Sequence, residues 1–540
     1  MEVFELVIVL LLVGAGLAAL AKRVGAPYPA MLALAGAILA LIPGVPTITF
    51  DPELALALFV APVLVDAAFD SSPRDLRANW RSVTSLALGA VIITTAVVAM
   101  VVHALVPGMP WAAAVALGAI VAPPDAAAAT TVLKRLKMPH SLMVILEGES
   151  LFNDASALII YRLAVGAAVT GAISGFSILP TLLFITVGSV VLGVVCSKIT
   201  LAVNARIQDL STAVVVQFCG TFAVWIIAER LHLSGIITMV VYAMIAARSA
   251  PKILPARIRI GAWAVWEVAV FVLNVLAFVL VGFQLKPIIA NASSTVGTQY
   301  FIIAAIVCVS VMAIRIAWVM SAVAVRKWFA ARKNQSFRVT HNNLEISYAN
   351  AALVGWCGMR GTVTLAAALA LPLGFPQRDL ILATAFGVTV GTLVLQGLTL
   401  RPLLKRLNLK DDGAVDREIR LARYKSASAA VAAVAGHEET ETTVLVRKSY
   451  ELQVRTAAAE LAKDSASPTQ VSDAAKHSLT SLGEDSNDGG ALQKAISAQR
   501  QELVNLRANN TIGDTAFQRV EEEVDWMELG WAQLSTQDEV

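Results

Sequence analysis

Residues 149–154, Glu-Ser-Leu-Phe-Asn-Asp, hold the groups of this chain best suited to ion chemistry. They stand near the start of a long apolar segment that continues through residues 155–169. An unpaired charge at membrane depth costs several kcal/mol, so an Asp in such a segment is a candidate functional residue. Ser150 lies one helical turn before Asp154 on the same face, and Asn153 is its neighbour. Because such oxygen groups suit hard cations and an Asp also holds a proton, the stretch predicts a cation or proton site.

Two further apolar segments are interrupted in mid-span. Asp125 follows two prolines, including Pro124, and prolines stop a regular helix. Arg360 lies among glycines that include Gly358 and Gly361, which also weaken a helix. Non-helical backbone occurs at membrane depth only where it is buried in protein or lines a cavity, and half-helix ends there form ion sites. We therefore predict two broken helices; the alternative for Asp125, a loop between two short segments, leaves each segment too short to span.

Three other charged residues need partners or cavities. Asp66 follows Pro62 by one turn, and a Pro in a membrane helix frees a carbonyl group. The alternative is that Asp66 is a helix-end residue facing a basic loop, as we expect for Asp70. Glu149 faces about 140° away from Asp154 on a regular helix, so it is not expected to share its role. Glu149 and Arg315, a lone Arg in an apolar stretch, are predicted to form a structural ion pair.

The composition indicates an all-α polytopic membrane protein. Of 540 residues, 57% are hydrophobic and 15% charged, whereas about 25% are charged in soluble domains. About 13 segments are long enough to cross a hydrocarbon core of about 20 residues. They lie near 3–21, 27–43, 53–70, 83–106, 111–133, 141–170, 177–203, 211–229, 232–247, 261–284, 299–325, 347–372 and 379–400.

The charges of the short loops predict the orientation. Alternate loops hold 23 Lys and Arg on one side and 3 on the other. Because basic loops stay on the cytoplasmic side, we expect a protein integral to the cell membrane with its N-terminus outside the cell and its C-terminus in the cytoplasm. The first apolar segment has no basic residue before it, which favours a retained helix over a cleaved signal peptide.

Two domains are predicted, a membrane domain over residues 1–408 and an acidic cytoplasmic tail over residues 411–540. The tail contains 13 Lys and Arg against 23 Asp and Glu. Helices are predicted at 450–463 and 492–506, and an apolar cluster at Trp526, Met527, Leu529 and Trp531. A regulatory module that docks on the basic loops and a partly disordered, solvated tail are equally compatible with this sequence.

Several classes are not expected. The four cysteines have no paired spacing, so neither a disulfide framework nor a metal site is indicated. The chain contains no nucleotide-binding loop or catalytic-triad pattern, so an enzyme or an ATP-driven pump is not expected. No cofactor and no nucleic-acid partner are predicted.

The motifs of the whole membrane domain resemble the sodium/proton exchangers of the monovalent cation/proton antiporter-1 family, of the bacterial type. The block Glu147-Gly-Glu-Ser-Leu-Phe-Asn-Asp154 is the most specific of them. The others are Pro124-Asp125, Pro62–Ala68, Arg315–Trp318 and Gly358–Gly361, in the order of the family.

The resemblance implies 13 helices in two inverted repeats, with two broken helices that cross and a core that moves against a dimerisation domain. It implies a homodimer in membrane lipid that exchanges Na⁺, or Li⁺ or K⁺, for a proton. Asp154 would bind either ion, and Na⁺ would lie among Asp154, Asp125, Ser150 and Asp66. Arg360 would hold the acidic ligands, and Glu149 and Arg315 would form the ion pair.

Two departures from the family pattern concern ion choice. The family commonly has Glu at Asp66 and Thr at Pro124, so a shorter carboxylate and a missing hydroxyl leave the preferred cation open. Asn153 is neutral where electrogenic relatives have Asp, which predicts one proton per cation. The alternatives are a cation channel and a membrane sensor that signals through the tail.

Overall fold

A computed structural model describes residues 2–24, 28–40, 52–125, 129–130, 133, 138–170, 175–291, 294–332, 347–407, 413–435, 441–464 and 490–537. Every regular element in these residues is a helix. The chain divides into two compact units. The first unit comprises Met1–Ser71, Leu76–Ile253 and Ala264–Asp411, and the second comprises Ser72–Asp75, Leu254–Trp263 and Asp412–Val540.

The first unit is built mainly from long apolar helices. Their bounds are α1 Glu2–Val24, α2 Tyr28–Ala40, α3 Pro52–Asp70, α4 Pro73–Ala78, α5 Trp80–Thr84, α6 Val91–Leu105, α7 Trp111–Val121, α8 His140–Thr170, α9 Gly175–Asn204, α10 Leu210–Arg230, α11 Gly235–Ile253, α12 Ala256–Asn291, α13 Ser294–Arg332, α14 Tyr348–Trp356, α15 Thr362–Leu369 and α16 Arg378–Leu407. Helices α4 and α12 also contribute residues to the second unit. Each helix satisfies its own backbone hydrogen bonds, which is the condition for crossing lipid.

Eight helical stretches of the described residues are long and apolar enough to cross a membrane. They are Trp80–Leu105, His140–Val169, Leu183–Asn204, Leu210–Arg230, Gly235–Ile253, Ala256–Val279, Gly297–Phe329 and Arg378–Leu407. Helices α12 and α13 extend beyond the predicted spans 261–284 and 299–325 in both directions.

The predicted span 83–106 is not a uniform α-helix. Residues Ser85–Ala90 form a π-helical turn between α5 and α6. Trp318 of α13 packs on this turn, because its indole nitrogen donates to the Ser85 carbonyl oxygen at 3.2 Å. A Cβ at Gly89 would meet the same Trp318 ring at 2.6 Å, so the small residue makes room for the indole.

Helix ends in the first unit occur at both interruptions that the sequence predicts. Helix α7 ends at Val121, and residues 122–125 are non-helical. Helix α14 ends at Trp356, and five non-helical residues, 357–361, precede α15. Helix α15 packs against α3 and α7, and α16 packs against α13 and α7, so the interrupted segments lie inside the helical assembly.

The first unit contains two large clusters of buried apolar side chains. One cluster includes Leu117, Leu151, Met239 and Ile381. A second cluster includes Leu32, Leu146, Val275, Leu353 and Leu393. Because lipid tails are as apolar as these side chains, close van der Waals packing rather than removal from water holds membrane helices together.

The second unit contains four helices of the tail. They are α17 Ala414–Val434, α18 Glu441–Asp464, α19 Gly490–Ala508 and α20 Asp514–Gln537. Two of them overlap the segments 450–463 and 492–506 for which the sequence predicts helices, whereas α17 and α20 were not predicted. These two helices contribute Ala422, Phe517, Val520 and Val524 to a core shared with Leu503 of α19.

Trp526, a member of the expected apolar cluster, lies on the surface of this unit. The Trp526 side chain is 58% exposed, whereas Val524 is fully buried. The apolar stripe of α20 runs through residues spaced three and four apart, so Trp526 lies on another face. The side chain of Trp531 lies outside the described residues.

Candidate functional site

The two non-helical breaks meet at Asp125 and Met359. The Asp125 backbone nitrogen donates to the Met359 carbonyl oxygen at 2.7 Å. A Cβ at Gly361 would overlap the Asp125 carboxyl group, so only a glycine allows this approach. The breaks are therefore joined by backbone contact, which requires the Pro and Gly residues found there.

Arg360 ties the two broken segments together. Its side chain is 1% exposed and donates to the carbonyl oxygens of Val121 at 2.8 Å, Ala122 at 3.1 Å and Gly358. Its backbone nitrogen donates to the Thr392 hydroxyl at 3.0 Å. The guanidinium thus satisfies carbonyl groups that the end of α7 leaves without helical partners.

The resemblance implies that Arg360 would hold the acidic ligands in place. The hydrogen bonds that its guanidinium group donates go to backbone carbonyl oxygens. A helix that ends inside protein exposes carbonyl oxygens, which need donors. The role of Arg360 toward the acidic ligands stays a prediction.

Helix α8 brings Asn153 and Asp154 to the breaks. The Asn153 amide nitrogen donates to the Pro124 carbonyl oxygen at 2.8 Å, and its amide oxygen is buried without a hydrogen-bond partner. Asp154 is 7% exposed and lies within electrostatic range of Asp125. The amide therefore connects α8 to the first break, and two carboxylates share one buried region.

Ser150 and Asp66 are less buried than Asp154. Ser150 is half-buried on α8, one turn before Asp154. Asp66 is half-buried on α3, a helix that packs against α15 and α11. No three His, Cys, Asp or Glu side chains of the described residues come together as a metal-holding group. The Na⁺ site expected among Asp154, Asp125, Ser150 and Asp66 stays a prediction.

Glu149 and Arg315 form a buried ion pair between α8 and α13. They are 1% and 2% exposed, and both guanidinium Nη atoms donate to the carboxylate, one of them at 2.8 Å to Oε2. Arg315 also donates to the Val354 carbonyl oxygen at 3.1 Å. A Cβ at Gly358 would overlap the Arg315 side chain, so this glycine leaves room for the pair.

One polar residue at the site is not singled out from the sequence. Thr392 on α16 accepts the hydrogen bond from the Arg360 backbone nitrogen. Its signal in the sequence is a polar residue in an apolar span, but many such residues bond only within their own helix, as the Thr389 hydroxyl does to the Ala385 carbonyl oxygen.

The fold and the site define a class of protein: a polytopic membrane protein with buried carboxylates where two interrupted helices meet. The model of the sodium/hydrogen exchanger transmembrane family matches residues 7–406. The chain therefore belongs to the sodium/hydrogen exchanger family.

Curated relatives share this family across most of the chain. An uncharacterised Na⁺/H⁺ exchanger of Mycobacterium tuberculosis is 31% identical over 443 residues, 80% of each chain. A sodium, potassium, lithium and rubidium/H⁺ antiporter of Bacillus pumilus is 29% identical over 84% of this chain and 70% of its own. An uncharacterised Na⁺/H⁺ exchanger of Escherichia coli is 28% identical over 98% of both.

A solved structure has a similar fold. The sodium/proton antiporter MjNhaP1 of Methanocaldococcus jannaschii, at pH 8, matches with a TM-score of 0.57 and 18% identity. The match covers 73% of this chain and 98% of that chain. Together with the family match, it supports an integral membrane protein with the antiporter fold.

Proposed function

We propose that this protein exchanges a monovalent cation, Na⁺ first and Li⁺ or K⁺ as further candidates, for a proton across the cell membrane. The observation that carries the proposal is the burial of Asp154 beside the meeting point of the two breaks. A carboxylate without water must be neutralised by a proton or by a cation. A site whose carboxylate needs either a proton or a cation, and cannot hold both at once, exchanges one ion for the other.

Asp154 and Asp125 are proposed to have different tasks. The Asp125 carboxyl group lies against Gly361, directly before α15 begins at Thr362. The positive end of a helix stabilises a negative charge by about 0.3–1 kcal/mol. Asp125 thus keeps its charge, whereas Asp154 alternates between a proton and the cation.

The neutral Asn153 supports a stoichiometry of one proton per cation. Its amide donates to Pro124, a bond that a carboxylate in its place would not make. Helix α8 therefore brings one titratable group to this region, and one cation replaces one proton without net charge movement. A dependence of the transport rate on membrane potential would contradict this stoichiometry.

Alternating access is the proposed mode of transport. Half-helix ends and free carbonyls at the bilayer midplane suit a single site that opens to either side. Thirteen spans in two inverted repeats, a homodimer, an outer N-terminus and a cytoplasmic C-terminus complete the proposal. The 23-to-3 bias of basic residues between alternate loops supports this orientation.

Two other functions make different predictions. A cation channel would conduct through several weak sites in a row, and its cation flux would not drive protons in the opposite direction. A membrane sensor would lose its output when the residues after 411 are removed, whereas an exchanger would keep its turnover. The interrupted helices around one buried carboxylate favour the exchanger.

The test is proton flux in proteoliposomes with an internal pH gradient. Na⁺, Li⁺ and K⁺ are added in turn, and valinomycin with K⁺ clamps the potential in the Na⁺ and Li⁺ runs. We expect a cation to collapse the gradient in the wild type and not in Asp154→Asn.

The matched control is Asp379→Asn, which removes an exposed carboxylate at the start of α16. This variant should retain the wild-type flux. Absence of cation-driven flux over a wide pH range, or full flux in Asp154→Asn, would overturn the proposal.

A further inference from the structure

One peptide unit of the second break is hydrogen-bonded at both of its ends. The Met359 carbonyl oxygen accepts from the Asp125 backbone nitrogen at 2.7 Å. The Arg360 backbone nitrogen donates to the Thr392 hydroxyl oxygen at 3.0 Å. This carbonyl and this N–H belong to the same planar unit, the 359–360 peptide, and point in opposite directions. The 359–360 peptide therefore connects Asp125 of the first break to Thr392 of α16.

The Thr392 hydroxyl both accepts and donates. It accepts from the Arg360 backbone nitrogen and donates its own hydrogen to the Thr389 carbonyl oxygen at 3.2 Å. The donated hydrogen fixes the hydroxyl within α16 and leaves its lone pairs for the break. Thr392 and Met359 are 0% exposed and Arg360 is 1% exposed, so these hydrogen bonds are shielded from solvent.

The 359–360 peptide obtains these two partners from other elements. Residues 357–361 are non-helical, so no regular helical hydrogen bonds fix the direction of this peptide. Asp125 also lies in a break, whereas Thr392 lies in the interior of α16, which is helical from Arg378 to Leu407. Of the two partners, Thr392 thus belongs to the regular element and supplies the fixed point.

The direction of the 359–360 peptide affects the position of the Asp125 carboxylate. The carboxyl group lies against Gly361, the residue that follows this peptide. Without the Thr392 hydroxyl, the Arg360 N–H would be buried and unpaired, which favours rotation of the peptide toward another acceptor. Such a rotation would shift Asp125, although binding groups must be held to within about 0.5 Å of their productive geometry.

We propose that Thr392 is a positioning residue for cation exchange: its hydroxyl fixes the 359–360 peptide, and this peptide holds Asp125 in the geometry that binds the transported cation. This inference rests on the proposed exchange function. It adds α16 to the elements that determine the affinity for the cation and the choice among Na⁺, Li⁺ and K⁺.

The test compares Thr392→Val with Thr392→Ser in proteoliposomes. Val keeps the branched shape of Thr without the hydroxyl, whereas Ser keeps the hydroxyl. Loss of one hydrogen bond corresponds to a factor of about 2 to 10, so the apparent KM for Na⁺ should rise about 2- to 10-fold in Thr392→Val. The Li⁺-to-Na⁺ ratio of KM values should change as well, at a maximal rate close to that of the wild type. Thr392→Ser should retain the KM values and the ion ratio of the wild type.

The matched control is Thr221→Val on α10, where a buried Thr hydroxyl donates to the Gln217 carbonyl oxygen of its own helix at 3.0 Å. It should leave the KM values and the ion ratio unchanged. Thr392→Ala also removes the hydroxyl and carries the same expectation as Thr392→Val if the latter yields no folded protein.

Three results would overturn the inference. The first is a Thr392→Val protein with the KM values and ion ratio of the wild type. The second is an equal change in Thr392→Ser, because the hydroxyl would then not be the cause. The third is a loss of maximal rate and melting temperature at constant KM values and ion ratio, since that pattern indicates a purely structural role.

A second readout separates this inference from the exchange function. Na⁺ is expected to raise the melting temperature of the purified wild type and of Thr392→Ser, and less so that of Thr392→Val. If the wild type shows no cation-driven flux, the exchange function fails. The inference then survives only as a cation-binding role if Na⁺ stabilises the wild type and Thr392→Ser more than Thr392→Val, and it falls if Na⁺ stabilises all three equally or none.

Discussion

At Glu149 and Arg315, two opposite charges are removed from water together. The pair spans α8 and α13, and a third contact goes to the Val354 carbonyl oxygen of α14. Desolvation of each ion costs several kcal/mol, which the mutual attraction and hydrogen bonds offset. The intact pair therefore contributes close to nothing to the free energy of unfolding. Removal of one partner, in contrast, leaves a buried unpaired charge that destabilises the fold.

We expect Glu149→Gln to lower the free energy of unfolding by about 3–5 kcal/mol, because Arg315 would remain buried without a counter-charge. Thermal unfolding of the detergent-solubilised protein measures this loss. The double variant Glu149→Gln with Arg315→Met should recover part of it, since no uncompensated charge remains.

A more exposed ion pair provides the comparison. Arg162 and Glu229 lie 2.7 Å apart, with side chains 43% and 35% exposed. Arg162→Gln should therefore cost only about 0–1 kcal/mol. Equal losses in Arg162→Gln and Glu149→Gln would show that the burial of the Glu149–Arg315 pair has no special effect.

At the scale of elements, the site depends on two interrupted segments that approach each other closely. Gly361 lies against the Asp125 carboxyl group, and Gly358 lies against Arg315. The Arg360 side chain, which belongs to the second break, donates hydrogen bonds to two carbonyl oxygens at the end of α7. Small residues and carbonyl-directed hydrogen bonds thus replace regular helix geometry at this point.

Gly361→Ala is expected to separate the two breaks. The added methyl group would overlap the Asp125 carboxyl group, and such overpacking costs about 1–3 kcal/mol. We predict about a 10-fold or greater loss of cation-driven proton flux in proteoliposomes, since the carboxylate must move.

The control is Gly374→Ala, at an exposed position where a Cβ meets nothing within 4 Å. It should transport as the wild type does. A Gly361→Ala protein with normal flux would mean that the close approach at Asp125 is not required for transport.

At the scale of the whole molecule, the second unit has its own network of charges. Arg259, from the segment Leu254–Trp263, donates to the Asp525 carboxylate, with Nε to Oδ2 at 3.0 Å. Arg500 of α19 forms an ion pair with the same Asp525. The Glu521 Oε1 atom lies 3.7 Å from Nη2 of Arg259. The second unit therefore includes part of α12 as well as the tail.

The stability of the second unit should depend on pH through Glu521. Burial raises the pKa of this carboxyl group from 4.5 to about 7, although Arg259 opposes the shift. The folded state thus binds more protons than the unfolded state between these values. The stabilising contribution is complete below about pH 4.5 and is lost as the pH rises through 7, on the order of 1–3 kcal/mol in total.

Hydrogen exchange of α20 in the full-length protein at pH 5.5 and 8, corrected for the intrinsic rate, measures this change. Glu521→Gln should remove most of the pH dependence. The neighbouring Glu522→Gln, whose side chain is 36% exposed, should retain it. The same pH slope in Glu521→Gln as in the wild type would assign the effect to other groups.

The sequence by itself determined the membrane class and predicted which groups could form the site. Long apolar runs leave a chain few choices other than helices, because lipid offers no hydrogen bonds to the backbone. Prolines before Asp125 and glycines around Arg360 predict interruptions of the helices, because the effects of these residues on the backbone are local. The polar residues of the stretch 149–154 are also recognisable from the sequence alone, because they lie in an otherwise apolar span.

Only the tertiary structure decided which groups meet. Arg360 donates to the Val121 carbonyl oxygen, and Asn153 donates to the Pro124 carbonyl oxygen, contacts that depend on how α7, α8 and the second break pack. These partners are far apart in the chain, so no local pattern joins them. In the tail, α17 and α20 owe their core to side chains of other helices, which a short window of sequence does not contain. Local physics thus fixes elements, whereas packing over long sequence separations fixes the site.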